Sequence, residues 1–208
     1  MAVIELQLFI KVGLWRAYAS RKEQKAFQVL AKKVLERDGY TCRYCGFQAQ
    51  EHQEVVNLDR DPRNNDSKNL VTACVFCAQC HFLESVGQDD SSGGQLVYLP
   101  EMQQGHLNTL CHVLFCAMSN GTGYADTAQE IYRLLRLRCQ IVEKKLGMGA
   151  SNPSALGRLM LEYQAKHGNV KQDFLKPLRL LPSYTKFKGY LEDWAKSAAQ
   201  ELDAGRAA

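Results

Sequence analysis

Near the amino end Val3, Ile4, Leu6, Leu8 and Ile10 partly alternate with polar neighbours, and a period of two predicts a strand over residues 2–10. The period then changes. Phe27, Leu30, Ala31 and Val34 recur at helical spacing, with Ser20 and Glu23 ahead of them as an S-x-x-E capping box and Gly39 behind as a stop. Val55, Val56 and Leu58 form a short apolar stretch, followed by the polar loop "DRDPRNNDSKN" and the apolar "NLVTAC". The run "QDDSSGG", residues 88–94, is the strongest punctuation in the chain, and "QLVYL" adds one more strand after it.

Beyond residue 99 the pattern is helical. Pro100 suits a first helical turn, and Met102, Leu107, Leu110, Leu114 and Met118 mark one helix face. Ala128, Tyr132, Leu135, Cys139, Val142 and Leu146 step by 4, 3, 4, 3 and 4, an a/d pattern predicting one long helix. Asn152-Pro153 reads as the cap and first position of another helix, with Leu156, Leu159, Met160 and Tyr163 on one side. Tyr184, Phe187, Leu191, Trp194 and Ala198 predict an amphipathic final helix. The division expected is residues 1–99 and residues 100–208, the second region packed on the first.

Composition narrows the class. A chain of 208 residues that is 46% hydrophobic is globular and can bury a sizeable core. The net charge of +4 is mild and does not by itself imply nucleic acid. "MAVIELQLFIKVGLW" is broken by Glu5, Gln7 and Lys11, so it lacks a secretory apolar core, and no stretch approaches the ~20 apolar residues of a membrane span. Eight cysteines without such a signal point to a reducing compartment and to metal sites in preference to disulfides.

The cysteine spacing is specific. Cys42-x2-Cys45, then 28 residues, then Cys74-x2-Cys77 is the pattern of two knuckles donating four thiolates to one Zn²⁺. Gly46 follows the first knuckle, where it can turn backbone N–H groups toward the sulfurs. Cys80 and His81 are alternates for a place in the ligand set, one helical turn beyond Cys77. Cys111, His112, Cys116 and Cys139 fall in helical patterns, and Cys139 reads as a small core hydrophobe.

"LERDGYTCRYCG" followed by "NLVTACVFC" resembles the HNH endonuclease superfamily in its zinc-containing form. The resemblance covers about residues 30 to 85 and implies a ββα-metal core in which the knuckles pin a hairpin to a helix. It also implies an Asp-His pair where Val56 and Asn57 stand, and a later ligand where Ala78 stands. Valine and alanine offer no ligand atom, and asparagine cannot act as a base. His52, Asp59, Asp61 and His81 lie nearby in sequence. The expected fold is therefore α+β: a zinc-stapled HNH-like ββα (treble-clef) core followed by a mainly α-helical carboxy-terminal half, without catalytic groups.

A resemblance over the whole chain is closer. That core, with "YLPEMQQGHLNTLCHVLFCAMSN", "AQEIYRLLRLRCQIVEKKLG" and "LRLLPSYTKFKGYLEDW", is similar to the IcmJ (DotN) family of the Dot/Icm type IVB secretion apparatus. The resemblance implies a cytoplasmic, non-catalytic adaptor of the coupling complex, tied to the inner membrane through the cytoplasmic tail of a DotL-like coupling ATPase and supporting effector export alongside other subunits. Tyr184, Phe187, Tyr190 and Trp194 are the candidate partner anchors. The rival readings are a metal-dependent nuclease and a nucleic-acid-binding module, the latter through Arg133, Arg136, Arg138, Lys144 and Lys145.

Overall fold

The computed structural model describes residues 3–11, 13–88, 93–121, 123–168 and 172–206; positions 89–92 of the "QDDSSGG" run lie outside the described residues. The amino-terminal alternation is present, with Leu6, Leu8 and Ile10 buried while Glu5, Gln7 and Lys11 are exposed. Residues 3–11 nevertheless join no sheet among the described residues, which corrects the strand expected there. Phe9 bonds instead to the turns that follow the second knuckle, its N–H donating to Cys80 O at 3.0 Å and its carbonyl accepting from Leu83 N at 3.2 Å. Periodicity reports burial, and a ladder needs a second strand that the described residues do not supply there.

Helices α1 (Leu14–Lys22) and α2 (Lys25–Arg37) follow. Ser20 lies inside α1 and Glu23 ends it, so the capping box expected at these positions is not formed; Gln24 precedes α2 with extended backbone and no side-chain cap. Arg21, buried on the last turn of α1, reaches into the loop after β1 and holds that turn helical past the expected start. Phe27 and Val34 of α2 pack with Val55 and Leu70 in a small core of their own. Gly39, at φ 58°, turns the chain away after Asp38.

Strands β1 (Gln53–Asn57) and β2 (Leu70–Cys74) form an antiparallel hairpin, in register from Gln53↔Cys74 to Asn57↔Leu70. The polar loop between them is held by its own side chains. Asp59, Asp61, Asn64 and Asp66 each accept from the N–H two residues on. Directly after β2 come the short helix α3 (Val75–Ala78) and two 3₁₀ turns, Gln79–His81 and Leu83–Ser85.

A second antiparallel pair joins β3 (Gly94–Tyr98) to β4 (Leu178–Pro182), a strand that periodicity did not reveal. Between them run α4 (Gln104–Ser119), α5 (Ala125–Leu137), α6 (Cys139–Leu146) and α7 (Pro153–His167). Pro100 stands in the turn before α4, not in its first turn. The a/d pattern from Ala128 to Leu146 spans two helices, not one. The break falls at Arg138, whose carbonyl accepts from Tyr98 N at 3.4 Å and whose side chain pairs with Glu101 at 2.5 Å. Asn152 caps α7 as predicted, its side chain accepting from Ala155 N at 3.0 Å with Pro153 at the first position. Leu156 on that helix is buried, whereas Leu159 and Tyr163 are exposed. The last helix, α8 (Lys188–Arg206), places Leu191 and Trp194 in the main core, which runs from Leu6 to Trp194 and encloses all four knuckle cysteines. No helix among the described residues is long and apolar enough to cross a membrane.

Candidate metal centre

The first knuckle is a tight turn closed by the Thr41↔Gln48 bridge, with Cys42 N donating to Phe47 O at 2.9 Å and Gly46 N to Cys42 O at 3.0 Å. Gly46 has φ 77°, the left-handed turn anticipated for it. The second knuckle straddles a strand-to-helix junction: Cys74 ends β2 and precedes α3, and Cys77 lies within α3. Pairing of Gln53 with Cys74 fixes the height of this junction on the hairpin.

The four sulfurs converge, with ligand atoms all within 4.8 Å of one another and Cys45 Sγ 3.5 Å from Cys74 Sγ. All four residues are buried, and all are free thiols. A disulfide would bring its sulfurs to about 2.05 Å. A tetrahedral ion with about 2.3 Å to each thiolate separates its ligands by about 3.8 Å, which suits this spacing. The group can therefore hold a soft, four-coordinate metal ion. Cys80 and His81, the alternates, lie outside it. Cys80 donates to Phe76 O at 3.4 Å, and His81 packs its ring 5.4 Å from that of Tyr44.

Charge in the cluster is asymmetric. Burial raises Cys74 and Cys77 well above the range of a free thiol, and hydrogen bonds with Cys42 and Cys45 add to this at both. At Cys42 burial also acts upward, but hydrogen bonds from Cys45, Cys74 and Cys77 overcome it and hold that thiol well below the free range. A thiol must lose its proton to bind a metal ion. A bound cation would displace the remaining protons, so metal affinity falls as pH falls.

Helix α4 supplies a layer of polar groups that the apolar periodicity did not single out. Asn108 Nδ2 donates to Cys77 Sγ at 3.1 Å, and its Oδ1 accepts from Gln104 Nε2 at 2.9 Å. Gln104 in turn binds both backbone groups of Leu180 in β4, each at 2.8 Å. Thr109 donates to Cys45 O at 2.8 Å. His112 Nε2 lies 3.4 Å from Cys74 Sγ, with its ring stacked between Phe47 at 3.7 Å and Phe76 at 4.2 Å. Burial pushes the His112 pKa down to about 3, so the ring is neutral and donates through one nitrogen only. The signal was there in sequence: Gln104, Asn108 and His112 are spaced by four, a polar stripe on an otherwise apolar helix face. Gly105 lets this face approach, since a Cβ there would strike the Tyr44 carbonyl oxygen of the first knuckle.

The positions where the HNH resemblance places catalytic groups are packed. Val56 and Ala78 are core residues. Asn57 is fully engaged, its Oδ1 accepting from Arg21 at 2.6 Å and its Nδ2 donating to Asn64 O at 2.7 Å. The space beside Val56, Asn57 and His81 amounts to about 10 Å³, room for about one water. Asp59 accepts from Asn64 at 2.6 Å and Asn69 at 2.9 Å, Asp61 pairs with Arg63 at 3.1 Å, and His52 pairs with Asp193 at 2.9 Å. Among the candidate anchors, Phe187 and Trp194 are buried. Trp194 packs on Phe47, Phe76 and His112 and donates to Glu51 O at 3.1 Å, while Tyr184 and Tyr190 are half-buried.

No protein-family model matches the chain. A curated protein of Legionella pneumophila, the type 4 apparatus protein DotN, is 50% identical to it over 198 residues, spanning 95% of this chain and 92% of that protein. The chain belongs to the DotN family.

Proposed function

We propose that this protein is a non-catalytic, zinc-stabilised adaptor of a type IVB secretion coupling complex. In this reading it binds the cytoplasmic tail of a DotL-like coupling ATPase, sits in the cytoplasm at the inner membrane through that partner, and supports effector export with other subunits. The observation that carries the reading is the 50% identity to a type 4 apparatus protein along 95% of the chain.

Site chemistry supports the non-catalytic part. Cys42, Cys45, Cys74 and Cys77 would saturate a zinc ion, leaving no position for a water to be activated. Zinc would contribute charge and folding energy there, and no chemistry. A β1–β2 hairpin leading straight into α3, with one knuckle before it and one at its end, supports descent from an HNH-like core. Val56, Asn57 and Ala78 then occupy the places of the lost metal ligands and base. A basic nucleic-acid face finds less support, because Arg133 is paired with Glu130 at 2.6 Å and Arg138 with Glu101 at 2.5 Å.

The test is to mix the purified protein with the soluble tail of the coupling ATPase and load a sizing column. Stoichiometric co-elution is the expected result, and separate elution removes the adaptor reading. A parallel incubation with plasmid DNA and Mg²⁺, Mn²⁺, Ni²⁺ or Zn²⁺ should show no cleavage. Cleavage that disappears in Asp59→Ala would establish a rearranged nuclease site.

A further inference from the structure

Residues 4–10 carry the buried-exposed alternation of an extended chain without belonging to a sheet. In such a chain the backbone groups of residues 4, 6, 8 and 10 face one edge and those of 5, 7 and 9 the other. The odd edge is tied to the core through both backbone groups of Phe9. The even edge is occupied only at its ends. Ile4 N donates to Arg43 O at 2.8 Å. At the other end the Gln172 side-chain amide accepts from Ile10 N at 3.1 Å and donates to Ile10 O at 2.7 Å. That two-bond ring is what a paired residue of a neighbouring antiparallel strand would make.

Between these ends the backbone N–H and C=O of Leu6 and Leu8 make no hydrogen bond within the described protein. Leu6 and Leu8 are buried as whole residues, 5% and 7% exposed, so the segment is held firmly in place while its rungs stay unpaired. These residues line a groove of about 770 Å³, bounded across from them by Gln103, Gln164 and Gln172. The groove is cationic: Lys11, Arg60, Lys176 and Arg179 line it against Glu5 and Asp173, and Asp173 is already paired with Lys176 at 2.8 Å.

We propose that this edge is a docking site for an extended segment of a partner protein bearing acidic side chains, added as a strand through the main-chain groups of Leu6 and Leu8. Main-chain groups that repeat every second residue along a groove ask for a main-chain ligand. Gln172 shows that an amide seats on the adjoining rung, and the surplus of cations sets the charge of the occupant. The identity of the probe rests on the adaptor reading above; the existence of the edge does not.

Backbone amide hydrogen exchange on the full chain, alone and with the soluble ATPase tail, tests this. In the free protein the Leu6 and Leu8 amides should exchange about 100-fold faster than that of Phe9, and the tail should slow both about tenfold or more. Gln103→Trp, at an exposed position on the groove wall, should weaken tail binding about tenfold with no fall in melting temperature. A complex that forms on the sizing column with Leu6 and Leu8 unprotected, and with Gln103→Trp binding as the parent does, overturns the docking site and leaves the adaptor reading standing. Failure of any complex to form overturns the adaptor reading and the tail as occupant, and Leu6 and Leu8 amides that exchange as slowly as Phe9 in the free protein overturn the edge itself.

Discussion

Asn57, at the position where the HNH resemblance leads one to expect a base, ties two segments of the fold together. Its amide bridges Arg21 of α1 to the Asn64 carbonyl in the loop beyond β1. Arg21 is buried and stacks its guanidinium 4.0 Å from the Phe27 ring, so it depends on Asn57, Pro62 and Asn65 for its polar partners. Asn57→Ala removes the shortest of these bonds to a buried charge, and urea unfolding should show a loss of about 2–3 kcal/mol. A variant as stable as the parent would mean that Arg21 is not held this way.

Glu84, in the turn packed on α7, makes a second residue-scale prediction. Burial raises its pKa from 4.5 to about 7, tempered by the backbone N–H groups of Trp15 and of Glu84 itself. A carboxyl whose folded pKa lies above its unfolded one binds the proton more tightly when folded. Its contribution is complete below pH 4.5 and is lost as pH rises through about 7, up to about 3 kcal/mol in all. Glu84→Gln cannot ionise, so its stability relative to the parent should rise from pH 5 to pH 8 in parallel thermal melts. A gap that does not change with pH would contradict this. At this scale the four cysteines that could hold a metal ion were legible because their spacing is itself the constraint. On α4 the four-residue spacing of Gln104, Asn108 and His112 was visible but their partners were not, because a polar residue on a helix gives no sign of which buried group it faces until the helix has docked.

Among the elements, α4 does most to organise the centre. It carries Gln104, Asn108, Thr109 and His112 toward the knuckles, and it does so only because Gly105 admits the Tyr44 carbonyl. Gly105→Ala should push α4 off the first knuckle. Melting should fall by an amount equivalent to about 2 kcal/mol, and a chelator should strip the proposed zinc about 10–100-fold more readily, the usual cost of disturbing groups that orient metal ligands. Equal rates of metal loss in variant and parent would show that α4 does not support the cluster.

Elements with a local cause were readable: α2 from its periodicity, α7 from its Asn152-Pro153 cap, the hairpin from two apolar runs around an Asp/Asn-rich loop. Elements with a distant cause were not. β4 is a strand because Gly94–Tyr98 lies beside it, and the a/d run breaks at Arg138 because Tyr98 and Glu101 hold that residue from outside the helix. The alternation in residues 3–11 was real, but it described burial and not pairing.

At the scale of the molecule, β3 and β4 tie residues on either side of position 99 into one sheet, and Gln104 links that sheet through Asn108 to Cys77. The cysteine cluster lies inside the main core with Phe76, Phe187 and Trp194 around it. A metal ion placed there would connect the knuckles, the hairpin and α4, and its binding energy would count toward folding. The central claim is that the four cysteines close a structural zinc site with no open position. X-ray absorption at the zinc edge, on protein purified without added metal, tests that claim most directly. One zinc per chain with four sulfurs at about 2.3 Å is the predicted result. A folded chain without zinc, or a zinc with fewer than four sulfurs and an oxygen or nitrogen in the remaining place, would contradict it.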